Sequence, residues 1–125
     1  MFSLLSLFFA CDPYEEYHCT EEFVYSSSFT LLDQAGNPIN EADISYTVDG
    51  NEGSYVESFE NGSFAVGGEE AGDFVVEISA SVPLENDPFC WEVGTATLEY
   101  TIEAGPCHVR NQIIDVELSW ETFCE

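Results

Sequence analysis

The sequence has almost no basic residues. It contains no Lys and a single Arg, Arg110, against 25 Asp and Glu, which sets the formal net charge of the 125-residue chain at −24. Nucleic-acid binding depends on Lys and Arg that neutralise phosphates, and attachment to anionic lipid headgroups depends on clusters of the same residues. The composition therefore excludes both kinds of partner. The acidic residues are dispersed between apolar ones, as on a solvated surface.

Motifs that carry chemistry are also missing. There is no G-x-S-x-G element for a nucleophile, no Gly-rich phosphate loop, and no C-x-x-C pair that would favour zinc. After residue 10, no segment shows apolar residues at the i, i+3, i+4, i+7 spacing of a helix. We therefore expect a protein without catalytic residues and without a cofactor.

Apolar residues instead alternate with polar ones along the chain. Hydrophobic residues make up 45% and aromatic residues 14% of the sequence, too much apolar side chain for a disordered acidic tail. The alternation has a period of two, which is typical of antiparallel strands with one buried face. It is clearest over residues 74–82, 96–103 and 114–121, and shorter or less regular over 23–31, 44–48 and 64–66.

Turn signals separate these runs. Gly-containing turns lie at 34–38, 49–51, 61–62, 67–68 and 104–106. The Asn-Gly and Asp-Gly dipeptides among them supply the positive φ angles that tight turns need. About seven short strands separated by such turns predict an all-β protein, a single antiparallel-rich β-sandwich. We expect it to span residues 19–125, with its longest irregular stretch at 83–89.

The first eleven residues form a separate unit. Residues 2–9, FSLLSLFF, carry no charge, and the small residue Ala10 stands directly before Cys11. This arrangement resembles a bacterial lipoprotein signal, in which the chain is cut before the cysteine and the sulfur then carries a diacylglyceryl group. The resemblance implies a signal segment at 1–10, a lipid on Cys11 that anchors the protein to a membrane, and a short tether at 11–18. The protein would then be exported to the cell envelope, on its periplasmic or surface face.

Two features depart from that pattern. Phe8 occupies a position where Leu is usual, and no basic residue precedes the apolar run, which is short for a signal of about 15–30 residues. A true start upstream of Met1 would explain the missing basic residues and the short run. An ordinary cleaved signal and a first core strand are the alternatives. A membrane span is excluded, because it needs about 20 apolar residues.

Five cysteines leave one unpaired in any disulfide scheme, and lipidation of Cys11 removes the odd one. An even number of cysteines in an exported domain implies disulfides. Cys90 and Cys107 flank the strand predicted over 95–103, which separates them by about 30 Å, far beyond the Cα distance of about 4.4–6.8 Å that a disulfide allows. The turn at 104–106 folds the last strand back beside the strand over 95–103, which brings Cys124 near Cys90. In a sandwich whose first and last strands are parallel, Cys19 and Cys107 both lie at the starts of strands. We therefore predict the pairs Cys90–Cys124 and Cys19–Cys107.

Two stretches resemble the carboxypeptidase regulatory-like domain of bacterial surface lipoproteins. They are FTLLDQAGNPINEADISYTVDG and NGSFAVGGEEAGDFVVEISA, and the segment CHVRNQIIDVELSW is similar to the final strand of such domains. The matching positions are Asp33, Gly36, Pro38, Ala42, Gly62, Phe64, Gly72, Phe74, Val76 and Ile78. The resemblance covers roughly residues 19–120. It implies a seven-stranded Greek-key sandwich of the transthyretin-like or Ig-like kind that acts as an accessory or adhesion module.

A few side chains are candidates for metal binding. Glu69, Glu70 and Asp73 lie on one turn and could supply oxygen ligands to calcium. Their spacing fits no EF-hand, so the favoured interpretation is a solvated turn and no metal site. His18 and His108 each adjoin a cysteine. We interpret them as surface residues beside a disulfide, with a shared transition-metal site as the alternative.

The sequence thus favours a non-catalytic, lipid-anchored, monomeric β-sandwich of the cell envelope that binds a protein or glycan partner. The alternative is a calcium-dependent binding module, or a small exported hydrolase that uses surface carboxylates, since paired carboxylates catalyse glycoside hydrolysis. With 25 acidic residues in the chain, some pair will have a suitable spacing by chance, so the pattern alone does not favour a hydrolase.

Overall fold

The computed structural model describes residues 22–125, which form two β-sheets. The predicted all-β class is confirmed. Apart from the short 3-10 turn Glu60–Gly62, the regular elements of this range are strands. In chain order they are β1 (Tyr25–Thr30), β2 (Asp43–Val48), β3 (Asn51–Glu52), β4 (Val56–Ser58), β5 (Ser63–Gly68), β6 (Gly72–Leu84), β7 (Asp87–Ile102), β8 (Gln112–Ile113) and β9 (Ser119–Cys124).

The strands divide into a four-stranded and a five-stranded sheet. The strand order is β4-β5-β1-β8 in the first and β3-β2-β6-β7-β9 in the second. Neighbouring strands are antiparallel except for β1 and β8, which are parallel. The described range contains nine strands where the sequence predicted about seven, and the short strands β3, β4 and β8 lie outside the alternating runs.

The C-terminal strand predicted over 114–121 is only partly a strand, because β8 ends just before it and β9 begins at Ser119. Gln112 and Ile113 pair with β1, whereas Ser119–Cys124 pairs with β7. The apolar side chains along this segment nevertheless pack against the core at alternate positions: Ile114, Val116, Leu118 and Trp120. The alternation therefore predicted burial correctly, although the segment changes sheet partway along it.

The core lies between the two sheets and comes from alternate residues of each. Phe74, Val76 and Ile78 of β6 are at most 3% exposed, and Phe29 of β1 and Phe64 of β5 meet them from the other sheet at 2% each. Burying side chains of this size is the main source of stability in a domain of this length. The period-two pattern thus specifies which side of each strand faces inward.

The stretch 83–89 was expected to be irregular, and that expectation is wrong. β6 continues to Leu84 and β7 begins at Asp87, so that the two strands form one long hairpin joined by a two-residue turn. Pro83 is tolerated for two reasons. It adjoins an irregularity in the β6–β7 register. In addition, β6 pairs with β2 only as far as Ser79, so on that side of the strand there are no inter-strand hydrogen bonds at Pro83 for the missing N–H group to break.

Residues 1–21 lie outside the described range. The predicted signal segment at 1–10, the tether at 11–18, the lipid site Cys11, and Cys19 fall there, so they stay predictions. Within residues 22–125, the structure has no helix with the length and apolar character needed to cross a bilayer.

Candidate binding surface

The predicted Cys90–Cys124 disulfide is present. The two residues lie directly opposite each other on β7 and β9, with their Cα atoms 4.1 Å apart. The N–H group of Glu125 donates to the carbonyl of Phe89, which identifies the cysteines as a non-hydrogen-bonded pair, the position where antiparallel strands come closest. Cys107 is also disulfide-bonded. Its predicted partner, Cys19, lies outside the described range, so that pairing stays a prediction.

The candidate calcium ligand Glu69 is used to hold three segments together. Its Oε2 atom lies 2.5 Å from Nδ1 of His108 and accepts a hydrogen bond from the Val24 N–H group at 3.1 Å. Its Oε1 atom accepts one from the Val109 N–H group at 3.3 Å. Desolvation raises the pKa of this carboxyl group, but the hydrogen bonds from His108, Val24 and Val109 outweigh it, so the pKa of Glu69 lies below its usual 4.5. The Glu69 carboxylate therefore joins three segments by hydrogen bonds within the protein, an arrangement hereafter called the Glu69 clamp.

The other two candidates, Glu70 and Asp73, have separate partners. The Tyr46 hydroxyl donates to Glu70 at 2.7 Å, and the Thr101 hydroxyl donates to Asp73 at 2.7 Å. Among residues 22–125, no group of three or more His, Cys, Asp or Glu side chains is placed to hold a metal ion. The three carboxylates that are neighbours in sequence thus do not converge on one point.

An exposed aromatic cluster lies on the four-stranded sheet. Four rings form it: Phe23, Tyr25, Tyr55 and Phe59, hereafter the aromatic face. Their centroids are 5.3 to 6.0 Å apart in a connected set of edge-on and tilted contacts. Phe23 is 50% exposed and Phe59 is 40% exposed. Tyr25 and Tyr55 are half-buried, and contiguous exposed apolar surface often marks an interaction site.

The aromatic face follows from strand alternation along β4. Val56 pairs with Val66, and Ser58 pairs with Phe64. Val66 and Phe64 are core residues, so Val56 and Ser58 lie on the inner side of the sheet. Tyr55, Glu57 and Phe59 occupy the alternate positions, so their side chains project from the outer side of the sheet. Phe23 reaches the same surface by lying over Gly68, where a Cβ atom would come within 2.3 Å of its ring.

A carboxylate is built into the aromatic face. Oε1 of Glu57 accepts hydrogen bonds from the hydroxyl of Tyr55 at 2.5 Å and from that of Tyr25 at 3.4 Å. The bond to Glu57, followed by desolvation, raises the pKa of Tyr55 above its usual value. The surface therefore combines ring faces with a negative charge that two tyrosines hold in place.

A broad open cleft of about 950 Å³ adjoins the aromatic face at the Ser58 end of β4. Its lining residues are Asn40, Ser58, Phe59, Glu60 and Asn61. The Gly62 N–H group donates to the Asn40 side chain at 2.8 Å, which fixes this amide at the edge of the cleft. Phe59 belongs to both features, so the cleft and the aromatic face form one continuous surface.

The alternating pattern predicted that two residues of the aromatic face would be buried in the core. Phe23 and Tyr25 continue the alternation of Phe29 and Leu31, but the phase of that alternation changes within β1. Ser26 and Ser27 are both fully buried, where strict alternation allows one of them. The Ser26 hydroxyl donates to the Glu70 carbonyl and Ser27 contacts the Tyr100 hydroxyl, so both serines are satisfied inside. The sequence feature that could have indicated this change of phase is the run of three serines, residues 26–28, between apolar residues.

Comparison of this chain with protein-family models, with curated proteins and with solved structures finds no match.

Proposed function

We propose that this protein is a non-catalytic, lipid-anchored binding module of the bacterial cell envelope, and that the aromatic face is its binding surface. The observation that carries the proposal is the cluster of four rings around Glu57, of which Phe23 and Phe59 are substantially exposed. Aromatic side chains are enriched where proteins recognise partners, since they bury a large area at a small entropic cost. An adhesion-type or accessory role fits such a surface.

The finer description of the fold is part of the same proposal. Nine strands less the two-residue β3 and β8 leave seven, the number expected of a transthyretin-like Greek-key sandwich. The resemblance to carboxypeptidase regulatory-like domains, on the turn residues named above, supports this description. We propose a monomer, because a net charge of −24 on every copy opposes self-association.

Export and lipid attachment are supported by the cysteines. A disulfide such as Cys90–Cys124 is typical of proteins in oxidising compartments. The lipid on Cys11 is tested by expressing the natural gene in a bacterium and separating membrane from soluble material. We expect the protein in the membrane fraction, with a mass that includes the acyl groups, and we expect Cys11→Ser to abolish both. A mature chain that begins at Met1 with a free Cys11 thiol contradicts the anchoring proposal.

Binding is tested with the purified chain and isolated envelope material, separated into protein and polysaccharide fractions. We expect retention that falls at least about tenfold in the variant Phe23→Ser, Phe59→Ser. The matched control is Phe89→Ser, since Phe89 is 65% exposed but lies on the other sheet. Equal retention of the control and of the aromatic-face variant, both folded by circular dichroism, would overturn the aromatic face as the binding surface.

A further inference from the structure

We infer that the partner of the aromatic face is an extended, basic protein segment that adds to the outer edge of β4 and places Arg or Lys side chains against the rings and Glu57. The inference rests on the proposed function and names the chemistry of the partner. Three independent features support it: the backbone groups of the edge, the composition of the face, and the charge of the whole chain.

The first feature is the direction of the backbone groups of β4. The Gly67 N–H group donates to the carbonyl of Tyr55, and the Phe59 N–H group donates to that of Ser63. Alternate residues of an antiparallel strand direct both backbone groups to the same side, so Tyr55, Glu57 and Phe59 face β5. The N–H and C=O groups of Val56 and Ser58 therefore point away from the sheet. Within residues 22–125, β4 is an edge strand that pairs only with β5.

An edge of this kind is a template for another strand. An added segment forms main-chain hydrogen bonds with the edge, and its alternate side chains lie beside those of the edge strand. Directly opposite residues bring their Cβ atoms to about 4.5–5.5 Å. Side chains on the outer side of the added segment would therefore adjoin Tyr55, Glu57 and Phe59. The cleft beyond Ser58 gives a longer segment room to continue.

The second feature is the pairing of rings with a carboxylate. A cation within about 6 Å of an aromatic centroid is attracted by the ring face, and Arg also stacks on it. The two tyrosine hydroxyls already occupy one oxygen of Glu57 and hold the negative charge beside the rings. Glu60 adds a second carboxylate at the lining of the cleft. A guanidinium or ammonium group forms favourable contacts with both the ring faces and the carboxylates.

The third feature is the charge of the chain, which selects among partners. A net charge of −24 repels anionic glycans and attracts basic segments over long range. A second copy of the chain is a poor occupant of this edge, because pairing of two β4 strands brings Glu57 of one near Glu57 of the other. Like charges on opposed strands are destabilising. A basic protein segment is therefore favoured over a second copy and over an acidic polysaccharide.

The test measures the dissociation constant of an eight-residue peptide of alternating Arg and Thr with the full chain. Two further peptides separate the contributions of the backbone and the charge. One is N-methylated at every residue, which keeps the charge and removes the backbone N–H donors from both edges of the peptide. The other has Gln in place of Arg. We expect each change to weaken binding at least about tenfold.

Variants of the protein locate the site. We expect Glu57→Gln to weaken binding of the Arg peptide about tenfold, and Glu99→Gln, which removes the same charge from an exposed position of the other sheet, to change it less than about twofold. Two results overturn the inference: equal binding of the N-methylated and unmodified peptides, or equal effects of Glu57→Gln and Glu99→Gln. Binding of a neutral oligosaccharide by the aromatic face, with no Arg-peptide binding, refutes the inference while the proposed function survives. If envelope retention does not depend on Phe23 and Phe59, the proposed function itself fails.

Discussion

Glu69 and His108 lie 39 residues apart in the sequence, yet the Oε2 atom of one is 2.5 Å from the Nδ1 atom of the other. The same carboxylate accepts hydrogen bonds from the backbone of Val24 and Val109. The contact therefore joins the turn between β5 and β6 to the chain entering β1 and to the connection between β7 and β8. Carboxylates that accept several hydrogen bonds are stabilised in their charged form.

Acid should lower the free energy of unfolding, partly because it protonates Glu69. The pKa of Glu69 is lowered in the folded state, so its contribution to the free energy of unfolding is present above the usual Glu pKa of 4.5 and is lost as the pH falls below it. We expect Glu69→Gln to destabilise the protein at pH 7 and to have a smaller effect at acid pH. Urea unfolding at both pH values measures this, with Glu99→Gln as the control. A constant difference at all pH values contradicts the role of the ionised carboxylate.

The disulfides make a second prediction. Non-reducing proteolysis and mass spectrometry should yield the linked pairs Cys90–Cys124 and Cys19–Cys107. Replacing Cys90 and Cys124 together by Ser should lower the free energy of unfolding by about 3–4 kcal/mol, as expected for closing a loop with a sequence separation of 34. A linked peptide of Cys90 and Cys107 would be incompatible with the observed pairing of β7 and β9.

Tyr46 should make the protein sensitive to alkali. Its hydroxyl donates to Glu70 and accepts a hydrogen bond from the Tyr55 N–H group, and burial together with Glu70 raises the pKa of Tyr46 from 10.0 to about 12. The neutral phenol is thus favoured in the folded state, so stability is intact below pH 10 and declines as the pH rises towards 12.

The variant Tyr46→Phe tests this contribution. It leaves Glu70 and the Tyr55 N–H group without their hydroxyl partner and should cost about 1–3 kcal/mol at neutral pH. Its stability should fall less steeply in alkali than that of the natural chain. Thermal unfolding between neutral pH and pH 11 measures both effects. An identical alkaline decline in the two proteins would assign the decline to other tyrosines.

Calcium should leave the thermal stability unchanged. Glu69, Glu70 and Asp73 each accept a hydrogen bond from a different part of the described chain and are not placed to hold one ion together. We expect equal melting temperatures in calcium, in magnesium and with a chelator at matched ionic strength. A rise that is specific to calcium would refute the internal role of these carboxylates and favour a cation-dependent module.

Much of the fold could be predicted from the sequence, because a period of two in apolar residues has few structural solutions. The long alternating runs correspond to β6 and β7, and the antiparallel return of the last strand placed Cys124 opposite Cys90. The prediction was wrong at 83–89, which was expected to be irregular; β6 and β7 continue through it, beyond the point where the ladder between β6 and β2 ends at Ser79. Local residue preferences do not show where a neighbouring strand stops.

The candidate surface could not be predicted, because it depends on tertiary positions. Phe23 and Tyr25 are separated by about thirty residues from Tyr55 and Phe59, and only the pairing of β1 and β4 with β5 brings them together. The change of phase at Ser26 and Ser27, which turns Tyr25 outward, depends on hydrogen bonds to Glu70, between β5 and β6, and to Tyr100 of β7. The calcium candidates Glu69, Glu70 and Asp73 show the reverse case. They are neighbours in sequence, but each side chain forms a hydrogen bond with a different part of the structure.

The Cys90–Cys124 disulfide also makes the attachment of β9 independent of the peptide chain between β7 and β9. The connection between β7 and β8 has exposed residues at Ala104, Pro106, Arg110 and Asn111. A cut there breaks the peptide chain but not the covalent molecule, since the disulfide still joins the fragment that carries β9 to the fragment that carries β7. We therefore expect a nicked copy to keep β9 covalently attached beside β7.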